Sequence, residues 1–220
     1  MLHQLSHQLP YTMNFNYRII FILAIASILL TACISPKSFM DSSFQKVAYE
    51  DIKKSSNPLH LKLVVEFQQN GQPLPQVNSA LRMITEQVLI SSGIVYPVID
   101  QEAGEIKVVV NNIADTGGAT AKGFGAGLTF GLIGTTVMDT YEMSISITTQ
   151  EKTIRRTAIK HALYTAIGNT SLPEGVEIAS PQVTFAKVLE QMLLRALLDM
   201  QKSGELTWLN RLNLFEHDGH

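Results

Sequence analysis

A chain of 220 residues with 17 Lys and Arg against 19 Asp and Glu carries a formal charge of −2, and it is long enough for one domain with its own core. A balance so near neutral argues against nucleic acid as a partner, because its binders carry a basic stripe or patch. The single cysteine, Cys33, excludes an internal disulfide and any cysteine-built zinc site, so stability has to come from packing.

Arg18 precedes a 12-residue apolar run from Ile19 to Leu30, and the small residues Thr31 and Ala32 lead directly into Cys33. A positive charge, a short apolar core and small residues before a cut make a secretory signal; a spanning helix needs roughly 20 apolar residues. The segment Leu30-Thr31-Ala32-Cys33 resembles the lipobox of bacterial lipoproteins. That resemblance implies cleavage before Cys33, with acyl lipid (palmitate) joined to its sulfur and to the new amino terminus. The bland alternative is a free thiol at the end of an uncleaved signal anchor. Position 34 is Ile rather than Asp, which in the enterobacterial sorting pattern favours the outer membrane. Residues Met1 to Thr12 are polar and make a long preamble, whereas Met13 followed by Asn14-Phe15-Asn16-Tyr17-Arg18 reads as a more ordinary start, with residues 1–12 a gene-model extension. The leader holds one basic residue and no acid, so its removal leaves a formal charge of −3.

Residues 33–58 are mixed and polar without sustained periodicity, which predicts a flexible tether. From Leu59 the apolar residues Leu61, Leu63, Val65 and Phe67 alternate with Lys62, Val64, Glu66 and Gln68, a strand with one buried face ended by Asn70-Gly71-Gln72-Pro73. Val77, Leu81, Ile84, Val88 and Leu89 recur at helical spacing, with Asn78 or Ser79 as N-cap and Gly93 as stop. Strands follow at Ile94–Ile99 and around Ile106, Val108 and Val110; beyond a glycine-rich stretch, Met143, Ile145 and Ile147 mark another. Thr149 to Lys152 predicts a hairpin turn. In the returning strand Ile154, Ala158 and Ala162 share one parity and Ile159 and Leu163 the other, which calls for a bulge or burial on two faces. Ser180-Pro181 starts a helix of about 20 residues whose Phe185, Val188, Leu189, Met192, Ala196 and Met200 share a face, closed by Gly204.

The expected architecture is α+β: a two-layer sandwich over residues 59–204, with a five-stranded, mostly antiparallel sheet and two amphipathic helices on one face. This order is similar to the small α/β domains of several envelope lipoproteins and of the amino-terminal domain of the translocation protein TolB. A fold-level likeness carries little about activity. Residues 205–220 form an apolar tail with Trp208, Leu209, Leu212, Leu214 and Phe215, expected to dock on the domain or to face a partner or membrane.

The insert at 116–137 is the oddest segment, with seven glycines between Thr116 and Gly134 and no charge from Gly123 to Val137. Its spacing fits neither the dinucleotide fingerprint nor a P-loop. It reads either as a loop folded back on the sheet or as a membrane- or partner-contacting segment. In the second case Gly123, Gly127 and Gly131 form a smooth face for close helix approach, and Phe124, Leu128, Phe130 and Leu132 supply apolar contact. The run Gly127 to Gly134, Asp139-Thr140-Tyr141-Glu142-Met143, His161-Ala162 and Ile167-Gly168-Asn169 resembles a family of uncharacterised proteobacterial lipoproteins over residues 110–202. The resemblance implies an envelope location and brings no assigned reaction.

No catalytic constellation emerges. His217-Asp218-Gly219-His220 reads as a polar terminus rather than a metal site, and no serine sits in a nucleophile elbow. His161 is placed to meet Asp139 or Glu142 across the hairpin, and Arg155-Arg156 to guard a strand edge or meet lipid headgroups. The sequence therefore predicts no cofactor, metal or enzymatic activity. It points to a binding or scaffolding lipoprotein on the periplasmic face of the outer membrane, with an envelope protein or a second copy as partner. The alternative is an oligomer that inserts its glycine-rich segments into the membrane, as the curli secretion lipoprotein does; an enzyme acting on envelope polymers comes third.

Overall fold

Period-two alternation sets the centre of the molecule. Leu59, Leu61, Leu63 and Phe67 are buried on one face of β2 (Leu59–Gln69), and Ile106, Val108 and Val110 on the same face of β5 (Glu105–Ile113). Tyr141, Met143, Ile145 and Ile147 extend that face on β6 (Thr135–Thr148). The computed structural model describes residues 36–99, 104–113, 135–150, 152–168 and 170–206. Three shorter strands, β1 (Lys37–Met40), β3 (Gln72–Pro73) and β4 (Val95–Val98), and the long β7 (Thr153–Ile167) complete a seven-stranded sheet ordered β1-β7-β6-β5-β2-β3, with β4 beside β2.

The protein is α+β with an open sheet and two helices, as expected, but the sheet has seven strands rather than five and is mixed. Strand β2 runs parallel to both β4 and β5, while β5, β6, β7 and β1 alternate in direction. The two additional strands span four and two residues, too short to show alternation. Between β2 and β3 the chain reverses at Asn70 and Gly71, both with positive φ (50° and 78°); this two-residue reversal is one that Asn-Gly adopts readily.

Helix α1 (Asn78–Ser92) ends at Gly93 in the left-handed conformation, the cap that a missing Cβ makes cheap. Its start differs from expectation. A turn of 3-10 helix at Pro75–Val77 leads in, and neither Asn78 nor Ser79 caps it. The Asn78 side chain instead accepts from the Phe67 backbone N–H at 2.7 Å, and Arg82 donates to the Leu63 carbonyl. Both groups lie on the edge of β2 between β4 and β3, so helix side chains satisfy an edge that no strand covers.

Helix α2 (Pro181–Lys202) opens on Ser180, whose hydroxyl accepts from the Val183 N–H. Five of the six expected face residues are buried, Phe185 being partly so, and Leu193, Leu194 and Leu197 are buried as well. The apolar surface therefore wraps much of the helix. A second layer of chain accounts for it. Residues 36–58, expected as a tether, are part of the fold: β1 pairs with β7, and Val47 and Ile52 are buried in the same core as α2.

The parity conflict in β7 resolves as a bulge. Met143 stands opposite Ile159 and Ile145 opposite Arg156, so the single residue Ser144 faces Thr157 and Ala158 together. The extra residue turns the inward set from Ile154 and Arg156 to Ile159, His161 and Leu163. Ala158 takes φ +56°, a conformation that costs an L-residue roughly 1–2 kcal/mol. Ala158→Gly should therefore stabilise the protein by up to about 1 kcal/mol, less its backbone entropy, whereas Ala158→Val should destabilise it. Urea unfolding of the two variants checks the sign; a loss with glycine would refute the strain.

Candidate functional site: the strap and the end of the sheet where it begins

Residues 36–58 form a strap: after β1, residues 41–58 run along α2, and polar side chains of that helix hold their backbone. The Gln191 amide makes two bonds to Val47, accepting from its N–H at 2.8 Å and donating to its carbonyl at 3.1 Å. Gln201 repeats the pattern at Lys53 (2.9 and 2.6 Å), and Arg195 donates to the Gln45 carbonyl at 2.9 Å. Phe44 lies between two further groups: it stacks on His161 with centroids 4.5 Å apart, and the Arg195 guanidinium sits 5.7 Å from its ring centre. Tyr49 donates to Glu190 at 3.1 Å, and burial together with that carboxylate pushes its hydroxyl up to about 12.

The strap begins at a defined place. Lys37 pairs with Ala166 of β7, and Ala166 pairs with Thr136 of β6, so three strands share one row. Neighbouring strands lie about 4.8 Å apart, which puts Lys37 within roughly 10 Å of Thr136. Strand β6 extends past the end of β5, since Ile113 faces Thr140 and β6 starts at Thr135. The segment 114–134 thus leaves β5 in the direction of the end where β1 begins, four rows short of the Lys37 row, and re-enters the sheet at Thr135, one row beyond it. On the face turned away from the helices, this end carries Met138, 50 % exposed, Ile113, 41 % exposed, and the stacked pair Phe39–Tyr164 at 5.3 Å.

Most residues singled out in the sequence fall outside the described residues: Cys33, then Gly123, Phe124, Gly127, Leu128, Phe130, Gly131 and Leu132, and the tail beyond Leu206. The glycine-rich insert was expected to run to 137, but Thr135 to Val137 belong to β6. Leu206 is buried in the core.

His161 meets neither expected carboxylate. Asp139 faces Leu163, and Glu142 lies on the opposite face, in an ion pair with Lys160 at 3.8 Å. The imidazole is buried beside Tyr141. Burial holds it below the ordinary histidine range, and Arg195 adds to that, while Asp41 acts the other way. Arg156 is engaged within the domain. It ties β7 to the end of α2 through Asp199, Glu205 at 2.6 Å and Ser203 at 3.0 Å. His60 stacks on Tyr96, and no group of three or more metal-ligating side chains occurs among the described residues.

Sequence reasoning missed Gln191, Arg195 and Gln201. Three polar residues on a long amphipathic helix read as its solvent face, and only the strap shows otherwise.

No family model matches the chain, and no curated protein does. A solved structure described as the crystal structure of an uncharacterized protein is similar at 12 % identity over 69 % of this chain and 94 % of its own, with a TM-score of 0.27; it carries no argument.

Two consequences can be measured. Gln191→Leu leaves the buried N–H and carbonyl of Val47 without partners, at about 1–3 kcal/mol for each group. Gln201→Leu should cost less, because Lys53 is exposed and water can replace the amide. Denaturant melts of both variants test the ranking, and equal losses would refute it. His161 gives a pH effect of fixed sign. With its folded-state pKa below the unfolded value of about 6.5, the unfolded chain binds more protons between the two values, so stability falls as pH drops below about 6.5. His161→Gln should flatten that slope in melting temperature between about pH 7.5 and pH 5.

Proposed function

We propose that this protein is a lipid-anchored component of the bacterial outer membrane, facing the periplasm, whose α+β domain is a non-enzymatic binding or scaffolding module. Membership of the lipoprotein family that it resembles is part of the same proposal. The observation that carries it is the Leu30-Thr31-Ala32-Cys33 segment behind its apolar leader. The fold gives the anchor a mechanical meaning. Strand β1 begins four residues after Cys33, and four residues reach at most about 14 Å. An acylated Cys33 would therefore hold the start of β1 close to the bilayer, with no long tether between lipid and domain.

A second reading, an oligomer that contacts or enters the membrane through its glycine-rich segment, is favoured by one specific observation. That segment leaves β5 at Ile113 heading for the end of the sheet where β1 starts and returns there at Thr135, with the exposed Met138 between the two rows. An anchored domain would present this end to the lipid. Gly123, Phe124, Gly127, Leu128, Phe130, Gly131 and Leu132 are the residues proposed to make the contact.

Cys33→Ser should abolish palmitate labelling and move the protein out of the outer-membrane fraction. Unchanged labelling would sink the anchor. The unmodified sequence, extracted in detergent and sized by light scattering, separates the two readings: a monomer or dimer fits the binding module, and a discrete high-order oligomer fits the inserting assembly.

A further inference from the structure

A small cleft opens where the strap crosses the first turns of α2. Its walls come from the strap (Asp41, Phe44, Lys46), from β7 (His161) and from α2 (Thr184, Lys187), with the loop at Glu177 closing one side. Its volume is about 80 Å³, the scale of a single polar head group rather than a whole metabolite.

Two of the side chains that line it carry a polar atom with no hydrogen-bond partner among the described residues. Thr184 is 2 % exposed and its hydroxyl makes no hydrogen bond. A buried hydroxyl left without a partner is a destabilising deficit, which a valine of the same shape would avoid. Thr85 of α1 is buried and unpartnered too but lines no such cleft, so the orphan hydroxyl alone is not the argument. The second atom is Nε2 of His161. That ring is bonded only through Nδ1, which lies 2.9 Å from the Ala162 backbone nitrogen and 3.0 Å from its carbonyl oxygen. A backbone nitrogen always carries its hydrogen, so the neutral ring receives the Ala162 N–H on a lone pair of Nδ1. Nδ1 is then the acceptor, and the proton sits on Nε2.

The charged rim is unevenly committed. Lys187 pairs with Glu177, and Asp41 accepts from the Ser43 N–H at 2.8 Å and from the Tyr164 hydroxyl at 3.4 Å. Lys46 has no ion pair among the described residues. The groups with no hydrogen-bond or ion-pair partner among the described residues are therefore a hydroxyl, an imidazole N–H and an ammonium whose charge also acts on Glu177, each able to donate.

We propose that this cleft binds one oxyanion group, a carboxylate or a phosphate, through the Thr184 hydroxyl, His161 Nε2–H and Lys46. Phe44, stacked on the imidazole, forms the apolar wall beside it. Asp41 and Glu177 at the rim oppose larger anionic ligands and restrict the site to a single small head group. The inference is independent of the lipid anchor, since none of these residues lies in the leader.

The test uses the intact protein in detergent and follows the His161 ring nitrogens and the amides around Thr184 by NMR. Sodium phosphate and sodium acetate are titrated separately against sodium chloride at matched ionic strength. A saturable shift with either anion and none with chloride is expected, and the tighter of the two identifies the head group. Thr184→Val, which keeps the shape and should not impair folding, and Lys46→Gln, which is exposed, should each weaken binding about tenfold, equivalent to about 1.4 kcal/mol. Shifts that never saturate, or affinities unchanged in both variants, would overturn the site. The first outcome would mean general charge screening, and the second would mean binding elsewhere.

Discussion

Everything else in the structure depends on covering α2. A surface helix needs one apolar stripe, yet Val188, Leu189, Met192, Leu193, Leu194, Ala196, Leu197 and Met200 are all buried. The sheet and α1 account for one side. The strap covers another, with Val47 and Ile52 as its apolar contribution and Gln191, Arg195 and Gln201 holding its backbone. Burying a leucine side chain is worth about 1.5–3 kcal/mol, so a chain that lost the strap would lose several such contributions together. The segment nearest the proposed anchor is thus part of the core.

This bears on how force and position would pass from membrane to domain. A flexible tether lets a domain explore a volume; a strap paired into the sheet fixes its orientation. Once β1 is in register with β7, the row Lys37–Ala166–Thr136 is the part of the sheet nearest in the chain to the proposed anchor. The exposed apolar residues Met138 and Ile113 stand at that end, where an anchored domain would meet the bilayer rather than water.

The sequence made the periodic parts legible and left the rest obscure for physical reasons. Strands β2, β5 and β6 alternate because one face is buried and the other wet, and Ser180-Pro181 marks the start of α2 because serine caps and proline fits the first turn. Strand β1 was invisible: Lys-Ser-Phe-Met shows no convincing period, and its place comes from backbone pairing with β7. The two parities of β7 were visible, and a bulge was one of two explanations; only the register at Met143 and Ile145 decided between them. In the cleft, His161 was visible as a histidine within a strand, expected opposite a carboxylate that it does not meet. Thr184 and Lys46 carried no signal, because an unpartnered hydroxyl is a property of packing, not of residue type.

The edges of the sheet narrow the surfaces through which such a domain could associate. An open sheet exposes unpaired backbone unless something blocks it. At one edge β1 is covered by the bridge between Ser38 and Ala179, whose N–H groups each donate to the other's carbonyl at 2.8 and 2.9 Å. At the other edge Arg82 and Asn78 occupy the groups that β4 and β3 leave open on β2. The outer side of β7 from Thr153 to Ile159 has no neighbouring strand among the described residues, but there the bulge at Ala158 twists the backbone out of line. Arg156, within this stretch, is spent on the end of α2. Strand addition therefore has a poor template at β1, at β7 and on β2 between β4 and β3, and the end of the sheet, where β1 begins and β6 reaches its limit, is the other surface open to an association of the proposed kind.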